Sequence, residues 1–505
     1  MFASLGQMLP CLAARYGCKT ALVVGGRRLS YANLNQSTNR LANALVGLGV
    51  RPGDRVTLYS VNGWEWVVAY YAVLKAGGIV NPLNVMLTPS EVSHVVNDCG
   101  ARVIITSADK APPLADLKNT MPADHLIVYG DAPVASAYAI DELIGRASDE
   151  FEVVARTPED ISTIGYTSGT TGHPKGAMLT QRAVIYNSVM TATMHVRTVA
   201  DTVVTALPCA HVYGNIVMNG ALITGGTLVL MERFDAEEAL RLLIEHHATI
   251  FDGVPTMYMY MLALPGIEAF DLSNLGRCTV GGQTMPIAKM QEVERRFGCP
   301  LLELWGMTEI AGCGTTHPFY AGSRLGSIGI GLPGVECRIA AVDGTRRTLA
   351  YTETGELMVR GPTVMQGYYG DEAATRETIE PDGWLHTGDL ARMNEEGYIF
   401  IVDRKKDMIL TAGYNVYPAE VERVIAAHPA VAMVAVGRIP DPLKGEIAKA
   451  YVVLKPGASA SADEILFHCR RDLAAYKVPR AVVFVGDLPK TSTGKIMRRA
   501  LKDIN

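Results

Sequence analysis

The sequence contains no cysteine pair at C-x-x-C spacing, no apolar run long enough to span a bilayer and no excess of positive charge. Its nine cysteines are scattered, and no histidines accompany them at zinc-finger spacing, so we expect free thiols in a reducing cytoplasm. No apolar stretch approaches the roughly 20 residues that a membrane span needs. A formal net charge of −5 argues against nucleic acid as the main partner.

The N-terminus resembles a signal peptide only superficially. Residues 1–17 are apolar, but they lack a basic region at their start, and Pro10 interrupts the apolar run. We therefore predict a packed helix here. Low-complexity segments and long internal repeats are also missing, which excludes a solenoid.

The 505 residues predict about three packing units, and 49% hydrophobic with 19% charged residues is typical of a folded globular protein. The first third, and again residues 162–299, alternate helix and strand patterns, as in parallel sheets covered by helices. Residues 325–401 have short strand patterns between Gly, Pro and Asp turns. We predict an α/β fold with two βα subdomains plus a small β-barrel or meander within residues 1–403, followed by an α+β domain, 404–505.

Two local signals are specific enough to predict helix starts. Ser30 is placed to cap a helix whose leucines share one face. Thr88 and Glu91 form a capping box with Pro89 at the first helical position, which predicts a second helix.

Residues 166–176, YTSGTTGHPKG, predict a phosphate-binding loop. Glycines let several backbone N–H groups point at one anion, hydroxyls add donors and a lysine adds charge. A Walker A loop is excluded because no glycine stands five residues before a Gly-Lys-Ser/Thr triplet. The candidate ligands of this loop are Thr167, Ser168, Gly169, Thr170, Thr171, Gly172 and Lys175.

Other motifs carry chemistry that is less specific when each is taken alone. LWGMTE at 304–309 offers an aromatic plate for adenine and a carboxylate for Mg²⁺, although a buried Trp beside a surface Glu would look the same. Asp389 could accept hydrogen bonds from ribose hydroxyls, and with Arg404 it could equally form a surface ion pair. PKTSTGK at 489–495 ends in a flexible lysine that suits growing phosphate charge or simply a basic tail.

Taken together and in this order, these motifs resemble those of the acyl-adenylate-forming superfamily, which contains acyl-CoA synthetases, peptide-synthetase adenylation domains and firefly luciferase. The resemblance covers essentially the whole chain. It implies ATP, Mg²⁺ and coenzyme A as cofactors or co-substrates, and Lys495 as the adenylation lysine. It further implies that Thr170 and Glu309 hold the metal, and that Thr308 meets the α-phosphate while Trp305 lies beside adenine.

The resemblance also assigns the remaining site residues. It places Asp389 and Arg404 at ribose, Gly413 in the pantetheine channel of a loop at 411–418, and Lys406 at the hinge of a mobile C-terminal domain. His211 would shape the acid pocket and approach the carboxylate, although alone it reads as a core histidine. The other nucleotide and pocket positions are Tyr213, Met257, Gly281, Gly282, Gln283, Gly306, Met307 and Cys313.

The predicted function is ATP-dependent activation of a hydrophobic acid and its transfer to coenzyme A. The largely apolar pocket positions favour a fatty, aryl or arylpropenoic acid and disfavour dicarboxylates. Two alternatives stay open: an adenylation enzyme that loads a carrier protein, and a non-catalytic nucleotide or acyl-AMP sensor. The sequence permits a homodimer without predicting one. A G-x-G-x-x-G match at 329–334 does not indicate a dinucleotide site, because Pro333 and a strand pattern follow where a helix is needed.

Overall fold

The fold was analysed on a computed structural model, which describes residues 2–117, 120–130, 134, 137–167, 174–411, 414–489 and 496–504. Its contacts divide the chain into two compact units. The first comprises Met1–Glu336 and Val359–Leu385, and the second Cys337–Met358 and His386–Asn505. The predicted boundary between 403 and 404 lies within the second unit, and as a division between moving domains it stays a prediction.

Helices occur in both units. In chain order they are α1 (Met8–Tyr16), α2 (Tyr31–Gly47), α3 (Trp64–Lys75), α4 (Pro89–Cys99), α5 (Ala111–Asp116), α6 (Ile140–Arg146), α7 (Gln181–Met194), α8 (Val212–Ile223), α9 (Ala236–Glu245), α10 (Pro255–Leu262), α11 (Ile287–Phe297), α12 (Glu372–Thr378), α13 (Pro418–Ala426) and α14 (Ala462–Asp472).

The strands are, in the same order, β1 (Thr20–Val24), β2 (Arg27–Ser30), β3 (Arg55–Tyr59), β4 (Ile79–Pro82), β5 (Val103–Ser107), β6 (His125–Tyr129), β7 (Tyr138–Ala139), β8 (Ile161–Thr167), β9 (Lys175–Thr180), β10 (Thr202–Thr205), β11 (Thr227–Leu230), β12 (Ile250–Gly253), β13 (Arg277–Gly281), β14 (Leu301–Met307), β15 (Gly312–Thr316), β16 (Ile330–Gly331), β17 (Glu336–Ala340), β18 (Gly355–Arg360), β19 (Gly367–Tyr368), β20 (Leu385–Met393), β21 (Ile399–Arg404), β22 (Ile409–Thr411), β23 (Tyr414–Val416), β24 (Val431–Asp441), β25 (Gly445–Leu454) and β26 (Ala481–Phe484).

Two large sheets form the first unit, as the repeated βα pattern predicted. One has the strand order β16-β15-β14-β13-β12-β10-β11-β1-β2, and the other β19-β9-β8-β4-β3-β5-β6-β7. Their central strands are parallel, and the connecting helices bury apolar faces against them. Both helix starts predicted from caps are confirmed, because Ser30 accepts the N–H of Asn33 and Thr88 forms a complete capping box.

The predicted small β-barrel is instead an open sheet. Its four strands have the order β17-β18-β20-β21, and no pairing among the described residues joins β17 to β21. Four short strands are too few to curl into a closed ring around side chains, whereas small barrels typically use about eight. The meander alternative is the one the structure bears out.

The second unit continues with a sheet of β23-β22-β25-β24, to which β26 adds beside β25. Helices α13 and α14 cover this sheet, and their apolar residues form its core with strand valines. The N-terminal segment is helical at α1, as predicted. No helix in the described ranges combines the length and apolarity that crossing a membrane requires.

Candidate active site

Most predicted site residues of the first unit lie at one edge of the nine-stranded sheet. Strands β10, β12, β13 and β14 are parallel neighbours, so their carboxyl ends share that edge. His211 lies in the connection that follows β10, Gly282 and Gln283 follow β13, and Trp305 lies at the end of β14. Ligands of open α/β sheets bind at this edge, which is consistent with a site here.

The two ends of the predicted phosphate loop are paired strands. β8 and β9 are antiparallel, and Thr167 lies opposite Lys175. The Lys175 ammonium is 3.9 Å from the Asp371 carboxylate and 5.3 Å from the centre of the Tyr368 ring. Residues Ser168, Gly169, Thr170, Thr171 and Gly172 lie outside the described residues, so their predicted roles stay predictions.

Glu309 is bonded to Tyr368, whose ring lies near this lysine. The Tyr368 hydroxyl donates to Glu309 Oε1 at 2.9 Å, and the Glu309 carbonyl accepts the N–H of Met365 at 2.8 Å. Burial, aided by the negative charge of Glu309, raises the pKa of Tyr368, so the phenol keeps its proton and remains a donor. We call Lys175, Glu309, Tyr368 and Asp371 the Lys175 cluster.

Small residues allow close packing next to this cluster. A Cβ at Gly165 of β8 would lie 2.8 Å from the Thr308 side chain, so Thr308 packs directly on the strand that leads into the phosphate loop. At Gly306 a Cβ would lie 1.7 Å from the Gly312 carbonyl oxygen, which excludes any side chain there. The sequence predicted Gly306 and Thr308 as neighbours of a nucleotide, and the packing brings Thr308 against β8.

The Lys175 cluster fits a magnesium-bound polyphosphate. Within the described parts of the chain no three acidic, histidine or cysteine side chains converge as a preformed metal site. Mg²⁺ needs none, since it is usually held by one or two carboxylates together with substrate phosphates and water. Glu309, only 7% exposed, offers such a carboxylate, and Tyr368 lies between it and Lys175, with its hydroxyl bonded to Glu309 and its ring near the Lys175 ammonium.

His211 caps a helix. Its Nδ1 accepts the N–H of Tyr213 at 3.2 Å, at the start of α8. This contact fixes the ring at the sheet edge, which is compatible with the predicted role of shaping the acid pocket. Because the pKa of a carboxylic acid is about 4, no base is needed to ionise the substrate.

Tyr213 directs its hydroxyl into the protein rather than toward a substrate. The side chain is 5% exposed, and its Oη lies 2.7 Å from Thr279 Oγ1. Thr279 in turn donates to Asp252, which pairs with Arg197 at 2.6 Å. The ring of Tyr213 can therefore form a pocket wall, while its hydroxyl is already bonded.

Two further predicted pocket positions, Gly281 and Cys313, are held by contacts that the sequence did not reveal. A Cβ at Gly281 would lie 2.7 Å from Leu304, which brings β13 and β14 close together at their ends. Asn187 of α7 donates to the carbonyls of Ile310 and Cys313 and accepts the N–H of Cys313. Asn187 was missed because a lone asparagine in a helix gives no sequence signal.

In the second unit, Asp389 and Arg404 are paired across β20 and β21. They are opposite in register, and Arg404 Nε is 3.2 Å from Asp389 Oδ1. The sequence predicted both residues at ribose. Their side chains meet, and their joint role in holding ribose stays a prediction.

Glu356, which the sequence analysis missed, supports this pair. Its carboxylate accepts from Lys405 Nζ at 2.9 Å and from the N–H of Gly388 at 3.2 Å, and it lies 3.1 Å from His386 Nδ1. Burial acts to raise the pKa of Glu356, but the hydrogen bonds from His386 and Lys405 outweigh it and lower the pKa to about 2.

Replacing Glu356 by glutamine is expected to lower the free energy of unfolding at pH 7 by about 1–2 kcal/mol, because it weakens charge-assisted hydrogen bonds to a half-exposed lysine. The depressed pKa means that this stabilisation is present above about pH 4.5 and is lost as the pH falls toward 2. Urea unfolding of both proteins should therefore show a difference that shrinks in acid. The exposed Glu395→Gln is the control, and a difference that stays constant with pH would contradict the assignment.

The described residues on either side of the segment that carries Lys495 are hydrogen-bonded to each other. Residues 490–495 lie outside the described residues, as does Gly413, but the N–H of Met497 donates to the carbonyl of Pro489 at 2.8 Å. Lys406, the predicted hinge residue, is exposed in the turn after β21. Its hinge role and the role of Lys495 stay predictions.

Arg498 anchors the chain just after this segment. It donates to Glu422 Oε2 at 2.6 Å and to Asp407 Oδ2 at 3.2 Å, and it lies 3.6 Å from Asp403 Oδ1. Burial raises the pKa of Asp403 to about 6, with the nearby Arg498 charge opposing that effect. One arginine thus joins the C-terminus to α13 and to the predicted hinge.

Replacing Arg498 by methionine is expected to lower the free energy of unfolding by about 2–3 kcal/mol, because three carboxylates lose their shared partner. Thermal unfolding of the variant measures this change. Arg470→Met, at an exposed position near the end of α14, is the matched control and should change little. Equal effects of the two substitutions would contradict a specific anchoring role.

Comparison with known proteins agrees with this geometry. Residues 12–369 match the AMP-binding enzyme family, and residues 420–495 match the AMP-binding enzyme C-terminal domain. The chain is 35% identical to a long-chain-fatty-acid–CoA ligase of Bacillus subtilis, covering 99% of this chain and 94% of that protein. It is 36% identical to a feruloyl-CoA synthase of an Amycolatopsis species, covering 95% and 94%.

A solved structure resembles this chain over its whole length. The crystal structure of ATP-bound MatB from Rhodopseudomonas palustris superimposes with a TM-score of 0.93 at 31% identity, covering 100% of this chain and 99% of that one. The chain therefore belongs to the AMP-binding enzyme family. This confirms the class of enzyme that the order of its motifs predicted.

Proposed function

We propose that this protein is an AMP-forming acid–thiol ligase that joins a hydrophobic carboxylic acid to coenzyme A. In the first reaction a carboxylate oxygen attacks the α-phosphorus of ATP and pyrophosphate leaves. In the second the CoA thiolate attacks the acyl carbon and AMP leaves. The acyl-adenylate is needed because a free carboxylate has no good leaving group for a thiol to displace.

The Lys175 cluster is the observation that carries this proposal. Lys175 lies at the paired ends of the strands that flank the phosphate loop, near the ring of Tyr368, whose protonated hydroxyl binds the buried Glu309 carboxylate. Mg²⁺ held by Glu309 and Thr170 would supply positive charge to the phosphate oxygens. Lys175 adds a second cation, and Tyr368 keeps the Glu309 carboxylate oriented.

Different residues of the C-terminal region serve the two reactions. Lys495 neutralises charge during adenylation, Asp389 and Arg404 hold ribose, and Gly413 lines the channel for the pantetheine thiol. Because Lys495 and Gly413 lie on different loops, we propose that the domain from residue 404 onward rotates about Lys406 between the reactions. The Arg498 network would preserve that domain as a unit during rotation.

The acid is proposed to be a fatty acid or an aryl or arylpropenoic acid. The predicted pocket residues offer an aromatic ring, methionine side chains and a buried cysteine, without a side-chain cation among them. Two of the relatives described above are named for a fatty acid and for a ferulic acid. The bonded hydroxyl of Tyr213 favours a wall that contacts an apolar group.

A screen of pyrophosphate release over chain lengths and aromatic acids tests the proposal. We expect release that depends on both acid and Mg²⁺, with AMP rather than ADP as the nucleotide product, and acyl-CoA when CoA is added. Absence of pyrophosphate release with every acid would contradict the proposal and favour a non-catalytic sensor. Release followed by transfer only to a phosphopantetheinylated carrier protein would favour the carrier-loading alternative.

A further inference from the structure

The last turn of α4 is fixed to the neighbouring strands. Arg55 of β3 donates from Nε to the carbonyl of Cys99 at 2.5 Å and from Nη2 to the carbonyl of Gly100 at 2.9 Å. These bonds satisfy carbonyl groups that a helix end leaves without partners inside the helix. Cys99 is fully buried, and its Sγ lies 3.7 Å from Asn81 Oδ1 of β4. The other side chains of this turn therefore extend from well-anchored backbone.

Asp98, which belongs to this turn, is bonded to Tyr166 of β8. The Tyr166 hydroxyl donates to Asp98 Oδ2. Burial raises the pKa of Tyr166 and the hydrogen bond to Asp98 adds to that effect, so the phenol keeps its proton and remains the donor. Only Thr167 follows Tyr166 in β8. The bond therefore joins the end of α4 to the strand that leads into the predicted phosphate loop.

The ring of Tyr166 packs on β9 directly beside Lys175. Tyr166 and Gly176 lie opposite each other in the pairing of β8 with β9. A Cβ at Gly176 would lie 3.0 Å from Cζ of the Tyr166 ring, so the ring lies close against the Gly176 backbone. The Gly176 carbonyl also accepts the N–H of Tyr369 at 2.8 Å. Because Lys175 directly precedes Gly176, the position of the Tyr166 ring influences where the backbone of Lys175 lies.

We infer that Asp98 is a positioning residue for adenylation, which holds Lys175 in place through Tyr166. This inference rests on the proposed function, in which Lys175 adds positive charge at the phosphates of ATP. A cation that stabilises phosphate charge must be kept in its productive position by its supports, and a displacement of about 1 Å can cost much of the rate. The Asp98 carboxylate is bonded to Tyr166 and is not among the predicted ligands, so its effect passes through the ring.

Asp98→Ala is expected to lower kcat/KM for ATP about tenfold in acid-dependent pyrophosphate release, because the ring beside Lys175 loses a charge-assisted hydrogen bond. Tyr166→Phe removes the same bond and should cause a similar loss. Asp98→Asn keeps an oxygen that can accept the Tyr166 hydroxyl and should retain most of the activity. Thioester formation from supplied acyl-adenylate and CoA should be unchanged in all three variants, because that reaction involves no triphosphate.

Asn97→Ala is the matched control. Asn97 is exposed in the same turn of α4, and its side chain donates to the carbonyls of Ser93 and Thr120, both at 2.9 Å. Its replacement removes hydrogen bonds from the turn without removing the bond to Tyr166, so kcat/KM for ATP should stay near the wild-type value. Equal losses from Asn97→Ala and Asp98→Ala, or from Asp98→Asn and Asp98→Ala, would overturn the inference. Equal slowing of adenylation and thioester formation would also overturn it.

A Lys175→Ala background tests whether Asp98 acts through the lysine. If it does, adding Asp98→Ala to Lys175→Ala should cause little further loss of kcat/KM for ATP, whereas independent effects would multiply. A further tenfold loss in the double variant would overturn the inference.

The wild-type protein distinguishes this inference from the proposed function. Absence of adenylation by the wild type with every acid overturns the proposed function together with the positioning role. Equal adenylation by the wild type and by Asp98→Ala overturns the positioning role alone.

Discussion

Replacing Lys495 by alanine is expected to lower adenylation about 10²- to 10³-fold while leaving thioester formation from supplied acyl-adenylate largely intact. One positioned cation that stabilises transition-state charge contributes an effect of this size. The charge develops on the α-phosphate and carboxylate oxygens only in the first reaction. Acid-dependent exchange of pyrophosphate into ATP measures that reaction, and acyl-CoA formation from synthetic acyl-AMP measures the second.

Lys490→Ala is the matched control, since it removes a lysine from the same short segment. It should leave both reactions near wild-type rates. If Lys495→Ala slowed the two reactions equally, the division of labour between loops would be wrong, and so would the proposed rotation about Lys406.

Glu309→Gln is expected to lower adenylation about 10²-fold and to raise the Mg²⁺ concentration needed for half-maximal rate. The amide removes the negative charge but can still accept a hydrogen bond from Tyr368, so the local fold should persist. The loss therefore reports on the missing metal ligand. Steady-state rates across a Mg²⁺ titration give both quantities.

Glu303→Gln provides an unusually close control. Glu303 lies on β14, the strand that leads to Glu309; it is 5% exposed, and burial raises its pKa to about 8. Because it is mainly protonated at pH 7, its amide replacement should leave activity and Mg²⁺ dependence nearly unchanged. A Glu309→Gln protein with normal Mg²⁺ dependence would refute the assigned metal role.

The sequence predicted the secondary structure of the first unit well, because its signals are local. The capping box at Thr88 and the cap at Ser30 mark helix starts through contacts three residues apart. Buried-strand runs appear as β3, β5 and β10, where parallel sheets covered on both faces need continuous apolar residues. The G-x-G-x-x-G match leads into β17 rather than a helix, as Pro333 indicated.

The contacts that organise the site were not predictable from the sequence. Tyr368 is 59 residues from Glu309, and Glu356 reaches Lys405 across 49. Neither has a neighbouring residue that signals its role, and each becomes meaningful only when strands pair. For the same reason the sequence left a barrel and a meander open for residues 325–401, since short strands with turns fit both until the strand order is known.

Transfer of ¹⁸O from a labelled carboxylic acid into AMP tests the central claim most directly. If the acid attacks the α-phosphorus of ATP, acyl transfer to CoA leaves one carboxylate oxygen on the AMP phosphate, so mass spectrometry should find one label per AMP formed. Unlabelled AMP, or label in orthophosphate accompanied by ADP, would contradict an acyl-adenylate route.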